Sequence, residues 1–594
     1  MLATHSRSGT AVHVTHAGFA PDDPYKAAYF SLWRGKDEEG VIDHGIEPGP
    51  GVTFEVIDEA SGETVFEGKP VIETSVGTPP AFDAAPVYRL DFSTLDNEGE
   101  YRVCVETSCS LPFAIRDDSW RSVFHLAMQG LLNQRSGIEL GPPWTVWRRP
   151  RSLHPDDGFV AFRSTATLMG TSMGLNLDKR NSFEALVAGS TDEAVAGAWG
   201  GWHDAGDWDR RIQQLEVALD LMMLVELRPD LAVFPLDLPE KGGNIPDILD
   251  EALWSIDLFA RLQEDDGGVP GGIESAGHPR FGESSWTESQ RLFVYASDPW
   301  SSWTFAAAAA RAARLLEKFD KSRATELGKR AEAAFAWAEA RRGDLELRHR
   351  NIGKARNLAA IELYRLTADT AFHDIFLETT NYRKAGRLGW KERQIDAGFV
   401  YAMWVEDGDT DIREHARLDI VRRADELLAS PPGGYGQIVD PHRPYGYSYT
   451  STVPADAADG LLQAHALTGD ERYLRAIISE TQFGLGANPL DMAYMTGLGP
   501  YSPRAPLVVD LLALPGNTPP PGITLFGHYD WKRRDHRAIE VAEKWMSPAY
   551  PQDWPMHEMY IGFPSFVPVS EYSMHATIGP MALVLGYLAG RPRD

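Results

Sequence analysis

The sequence predicts a mainly α protein: a large helical domain over residues 117–594, preceded by a small β-sandwich over residues 1–116. Three observations predict it. As far as residue 116, apolar residues come in short runs rich in Val, Tyr and Phe, separated by clusters of Gly, Pro, Asp and Asn, which is the punctuation of strands. From residue 117 they fall instead at helical spacing, segment after segment. Two of those segments, LYRLTADTAFHDIF and AHALTGDERYLRAI, repeat one device: a helix ends at Thr-Ala-Asp or Thr-Gly-Asp and an aromatic follows as the next helix begins. Stacked helical pairs repeat in this way.

Taken in order, AVHVTHAGF, KAAYFSLW, VTFEVID, TVFEG, PVYRLDF and YRVCVE read as strands, at a spacing that suits a β-sandwich. The two cysteines, Cys104 and Cys109, lie in a hairpin that turns near Glu106 to Ser108. Their sulfurs either face each other as a disulfide, which would imply an oxidising compartment, or remain reduced thiols. No histidine stands at zinc-ligand spacing from them. In DDSWRSVFHLAMQGLLNQRSG, Phe124, Ala127 and Leu131 share a helical face and Asp118 or Ser119 is placed to cap the start. A helix beginning near Arg210 puts Ile212, Leu215, Leu219 and Met222 on one face. Further helical segments follow to HATIGPMALVLGYLAG, making eleven or twelve, which suggests hairpins packed in a ring. Residues 497–560 are rich in Pro, Gly and aromatics, and a long loop region of that kind in a helical domain is usually functional.

Charge narrows the partners. Subtracting 85 acidic from 57 basic side chains gives −28, so nucleic acid and anionic membranes are repelled at long range. No run approaches the roughly 18–20 uncharged apolar residues that span a bilayer. The opening MLATHSRSGTAVHVTH lacks the apolar stretch of a secretory signal. The expected location is therefore cytoplasmic if the chain is complete, and periplasmic or secreted if a leader has been removed.

The stretch GGWHDAGDWDRR, residues 200–211, carries three aspartates and two tryptophans. Ala205 and Gly206 allow a tight turn that points Asp204 and Asp207 into one space. A helix cap would explain one acid, Asp207 or Asp209, but not three. Indole faces beside carboxylates suit a sugar, whose C–H surfaces stack on rings while its hydroxyls donate to oxygens. Glycosidic hydrolysis normally takes two carboxyl groups, one of them kept protonated by apolar surroundings. Glu571 is the candidate for that second group: among the ten residues on either side, only His575 is basic and none is acidic.

On these segments the chain resembles glycoside hydrolase family 9, in the branch with an N-terminal immunoglobulin-like domain. GGWHDAGDWDRR matches the family's Asp-Ala-Gly-Asp signature, FGLGANPLDMAYMTGLG its Gly-x-Asn-Pro segment, and SEYSMHATIGPMALVLGYL its acid-bearing C-terminal helix. The resemblance implies an (α/α)6 barrel and inverting hydrolysis of β-glycosidic bonds. It makes Asp207 the general base, Asp204 the residue that holds the attacking water, and Glu571 the general acid. The expected partner is a β-linked poly- or oligosaccharide, cleaved in endoglucanase fashion. The alternatives are an exo-acting β-glucosidase or β-glucosaminidase and a non-catalytic carbohydrate-binding protein. One departure bears on the substrate. Where family cellulases carry Pro-His-His-Arg, this chain reads YSPRAPLVVD, so Leu507 and Val509 replace a sugar-binding His and Arg and Arg504 is the candidate substitute. Candidate substrate contacts are Trp202, His203, Trp208, Trp300, Trp303, Tyr447, Arg504 and Trp531. No cofactor is required. A structural calcium ion held by loop aspartates is left open, although no EF-hand spacing is present.

Overall fold

The computed structural model describes residues 11–35, 45–348, 350–389, 392, 394–439, 457–514, 516, 518–533, 537–564 and 567–592. Nine strands form the first domain: β1 (Val12–His13), β2 (Ala27–Phe30), β3 (Phe54–Asp58), β4 (Thr64–Gly68), β5 (Val71–Thr74), β6 (Val87–Asp91), β7 (Gly99–Val105), β8 (Ser108–Cys109) and β9 (Phe113–Ile115). They make two antiparallel sheets, ordered β1-β2-β6-β5 and β4-β3-β7-β8, with β9 also paired to β7. Strand alternation sets the core between them: Phe54 and Val56 of β3 register with Val105 and Val103 of β7, and all four are buried against Val12, Phe30 and Leu90 of the other sheet. Cys104 and Cys109 are opposite each other on β7 and β8 and form a disulfide across that hairpin.

The helical domain starts with α1 (Ser119–Gln134), whose N-cap Asp118 makes no side-chain cap bond. Next comes a part that helical periodicity did not announce. Strands β10 (Ala161–Thr167), β11 (Ser190–Ala194), β12 (Arg210–Arg211), β13 (Gly272–Ser275) and β14 (Leu292–Ala296), with the short α2 (Ser182–Ala188) between β10 and β11, build a sheet ordered β11-β10-β14-β13-β12. The expected helix near Arg210 begins instead at Gln214, because Arg210 and Arg211 pair with Ile273 and Gly272 of β13.

The ring alternates outer and inner helices. After outer α1, inner α3 (Gln214–Leu227) packs on outer α4 (Asp247–Leu262), and inner α5 (Pro299–Leu316) on outer α6 (Lys321–Arg341). Inner α7 (Arg350–Thr367) then packs on α8 (Thr370–Thr379), and inner α9 (Ile395–Trp404) on α10 (Thr410–Leu428). A π-helical segment, Ala457–Leu462, runs into α11 (Gln463–Thr468) and packs against α12 (Glu471–Gly484). After the short α13 (Val509–Leu512), α14 (Arg537–Ala542) and α15 (Val567–Ser570), inner α16 (Gly579–Ala589) closes the ring against α1 and α3. This is the (α/α)6 barrel, six helices inside and six outside.

Sequence explains the two layers. Inner α5 is buried almost all round, and its run Ala306–Ala310 leaves room for close approach of α6 and α7. Outer α6 buries one stripe, Ala324, Leu327, Ala331, Ala334 and Ala338, and turns its charges outward. Both copies of the repeated device are the turns from an inner to an outer helix. Thr367 and Thr468 bond back to the carbonyls of Leu363 and Ala464, Ala368 and Gly469 take φ of +57° and +69°, and Asp369 and Asp470 accept from the N–H groups of Ala371 and Arg472. Among the described residues no helix is long and apolar enough to cross a membrane.

The sandwich is bonded into the ring. His13 Nδ1 lies 2.8 Å from Asp491 Oδ1, His557 Nδ1 lies 2.8 Å from Asp83 Oδ1, and the buried Asp23 accepts from Trp120 Nε1 of α1 and from Arg591 beyond α16.

Candidate active site

The aspartate loop is braced from below by the end of α1. The N–H of His203 donates to the carbonyl of Gln134 at 2.7 Å, and that of Ser136 to the carbonyl of Gly201 at 2.7 Å. Gln214, at the first residue of α3, accepts from the N–H of Trp202 at 3.0 Å. Ala205 sits at φ +50°, a left-handed conformation that costs a non-glycine residue energy and recurs at functional sites. Gly206 is required by proximity: a Cβ there would come 2.4 Å from the carbonyl oxygen of Leu507. The segment carrying Leu507 thus supports the loop, since Val509 N–H donates to Gly206 O and Leu507 N–H to Ser570 O.

Those bonds bring the late acid to the early ones. Glu571 follows α15, and a π turn over Met574–Ile578 leads from it into α16. Asp204 Oδ1 accepts from the N–H of Met574 at 2.7 Å and from Ser573 Oγ at 3.2 Å. Asp204 is therefore held by the strand of chain that presents Glu571. Burial pushes the Glu571 carboxyl up to about 8; the charges of Asp204 and Asp209 add to the rise and Arg211 opposes it. Burial also raises Asp207 above the ordinary aspartate range. A hydrogen bond shared with Asp209 and the charge of Arg211 act against that rise, while Glu571 and Glu274 reinforce it. Asp207 keeps 26% of its side chain exposed, the most open of the three loop acids, and its Oδ2 faces His278 Nδ1 at 4.0 Å.

Several residues of this constellation are not evident from the motif. Asp209 caps no helix; its Oδ2 pairs with Arg211 at 2.5 Å, and Arg211 also holds Glu274 of β13 at 2.6 Å. One guanidinium thus serves two carboxyl groups, and burial, with the nearby charges of Asp207 and Asp204, holds Asp209 well above the ordinary aspartate range. Beside Asp207 lies a small polar cavity lined by Gln134, Arg149, His203, Asp510 and Tyr572 among others. Arg149 is buried there, with Nη1 3.1 Å from His203 Nδ1 and 3.9 Å from Asp510 Oδ2. Asp510 in turn accepts from the N–H and Oγ of Ser285 at 2.7 and 2.6 Å. Arg149 stands in the run WRRPR, which has the composition of an exposed basic loop, so the sequence carried no signal for it.

The expected aromatic platforms are corrected. Trp202, Trp208, Trp303 and Trp531 are at most 2% exposed and Trp300 is 8% exposed, so none offers an open ring face to a sugar. Their indole nitrogens have internal jobs: Trp202 donates to Glu251, Trp208 to Glu288 and Ser275, and Trp303 to Glu339. Trp531 packs edge-on against Tyr529 in a small satellite core. His203 is likewise buried, its ring nitrogens facing Arg149 and Ser152, and burial lowers its pKa well below the usual histidine value. It positions the loop rather than meeting solvent. Arg504 is exposed, and Tyr447 lies outside the described residues. Among the described residues no three His, Cys, Asp or Glu side chains are grouped to hold a metal ion.

This ring, sandwich and carboxyl cluster define a glycoside hydrolase architecture, and the sequence comparison agrees. Residues 120–508 match glycosyl hydrolase family 9, and residues 7–110 match the cellulase N-terminal Ig-like domain. The chain belongs to glycosyl hydrolase family 9. It is 26% identical over 532 residues to endoglucanase C of Cellulomonas fimi, an alignment that covers 83% of this chain and 44% of that protein. It is 24% identical over 538 residues to a xyloglucan-specific endo-β-1,4-glucanase of Bacteroides ovatus, covering 84% and 85% of the two chains. The crystal structure of a metagenome-derived family 9 endoglucanase superposes with a TM-score of 0.77 at 24% identity, covering 98% and 99% of the two chains.

Proposed function

We propose that this protein is an inverting β-glycoside hydrolase that cleaves within a β-1,4-linked glucan. The observation that carries the reading is Glu571, pushed up to about 8 by burial, on the segment whose Met574 N–H binds Asp204 of a loop some 370 residues earlier in the chain. In this reading Glu571 gives its proton to the glycosidic oxygen as the C–O bond breaks. A water on the opposite face of the sugar attacks the anomeric carbon, oriented by Asp204, and passes its proton to Asp207. The products are a hemiacetal of inverted configuration and a free hydroxyl, and both carboxyl groups are reset by proton exchange with solvent. The endo preference is supported by the relatives named as endoglucanases.

Two variants test the roles. Asp207→Ala should lower kcat on a soluble β-glucan by roughly 10²–10⁴, the usual worth of a general base. Glu571→Gln should cripple turnover of the glucan but spare aryl glycosides with good leaving groups, which need little acid assistance. Equal losses on both substrates would remove Glu571 from the acid role, and retention of anomeric configuration by NMR would overturn the mechanism.

A further inference from the structure

We propose that the cavity between the β-sandwich and the helical ring is a binding site for a sugar-sized oxyanion, a uronate or a sugar phosphate, gripped by Arg89 and Arg475. The cavity measures about 380 Å³, within the range of small-molecule sites. The sandwich contributes Tyr25, Glu73 and Arg89, and the ring contributes the turn at residues 430–438 together with Arg472 and Arg475 of α12. It shares no lining residue with the cavity beside Asp207.

The charge inside it is the reason for the assignment. In a chain of net charge −28, three guanidinium groups face one cavity whose only carboxylate among the described residues is Glu73. Arg472 is already paired with Asp470 at 2.7 Å. Arg89 has no ion-pair partner among the described residues, and its Nε is buried without a hydrogen-bond partner. Arg475 donates to the carbonyl oxygen of Pro24 and lies 5.6 Å from the Tyr25 ring, again with no carboxylate in ion-pair range among the described residues. A buried guanidinium N–H left without an acceptor is costly unless an anion completes it. Glu73 offsets only part of this charge: it is one carboxyl group against three guanidinium groups, it accepts from the N–H of Gly436 at 3.2 Å, and burial raises it to about 7. The rest of the wall suits a pyranose. Pro431 and Pro432 are exposed, flat and apolar, a face on which the C–H surface of a sugar ring can lie.

The test is calorimetric titration of the full chain at low salt with glucuronate, with glucose 6-phosphate, and with glucose as the neutral control. One of the two anions should bind at one site per chain while glucose does not. Binding of glucuronate alone identifies a carboxylate site, and binding of glucose 6-phosphate, competed by inorganic phosphate, identifies a phosphate site. Arg89→Gln and Arg475→Gln should each weaken binding by about tenfold or more, the value of a charge-assisted hydrogen bond. Arg475 also ties the two domains together, so Arg89→Gln is the decisive variant, with a melting curve to confirm that it folds. The proposal is overturned if neither anion binds at concentrations on the order of 10 mM, if glucose binds equally well, or if binding survives Arg89→Gln in a folded protein.

Discussion

At the scale of single residues, the site works through unequal environments for like groups. Glu571 holds its proton up to about 8, so the alkaline limb of kcat/KM should fall as pH rises through that value and the acid form is lost. In the proposed mechanism Asp207 must be ionised to accept a proton, and its raised pKa places the acid limb above the 3.8 of an ordinary aspartate, with activity lost as pH falls through it. Because Asp207 and Asp209 share a hydrogen bond, that limb reports the pair; Asp209→Asn should move it, which a pH profile of the variant checks. Gly206 answers to packing instead. Gly206→Ala pushes a methyl into Leu507, and the loop must shift. We expect kcat to drop at least about tenfold with a stability loss of about 1–3 kcal/mol, typical of overpacking, measured by steady-state kinetics and urea denaturation.

At the scale of elements, inner helices are joined by buried charge as well as by alanine. Glu362 on α7 is fully buried and takes Arg311 of α5 at 2.6 Å and Arg365 of its own helix at 3.1 Å, while Glu226 of α3 takes Arg314 and Arg365 at 2.6 Å. Removing one member strands charges in a dry interior, so Glu362→Ala should cost about 3–5 kcal/mol in denaturant unfolding. The turn after α7 offers the opposite opportunity. Ala368 holds a φ of +57° where the matching turn after α11 has Gly469, so Ala368→Gly should stabilise the protein by up to about 1 kcal/mol. The repeat that revealed these turns was readable because it is local: a threonine, a left-handed residue and a capping aspartate are adjacent in sequence. The sheet β11-β10-β14-β13-β12 was not readable for the converse reason. Its strands are as short as the two residues of β12, and β10 pairs with β14 more than a hundred positions later, so no window contains its pattern.

At the scale of the whole molecule, the same distinction decides what the sequence could reveal of the site. Asp204, Asp207 and Glu571 carry their chemistry in short motifs, whereas Arg149, Asp510 and Glu274 acquire theirs only from neighbours that folding brings near. The tryptophans misled because composition records an indole but not the direction it faces: Trp202 lies on the loop beside the acids yet points to Glu251. The two domains are one mechanical unit through contacts such as Asp23 with Trp120 and Arg591. Asp23→Ala should leave both partners unpaired, lower the melting temperature and split unfolding into two transitions by calorimetry.

The bond from Met574 to Asp204 also sets an order in time. Synthesis delivers the loop first and Met574, which binds it, 370 residues later, a lag of roughly twenty seconds to more than a minute at ordinary elongation rates. Throughout that interval α16, which closes the ring against α1 and α3, is also missing. A nascent chain on the ribosome is therefore inert toward any polysaccharide it meets, and the capacity to cut arrives in one stroke with the closing helix.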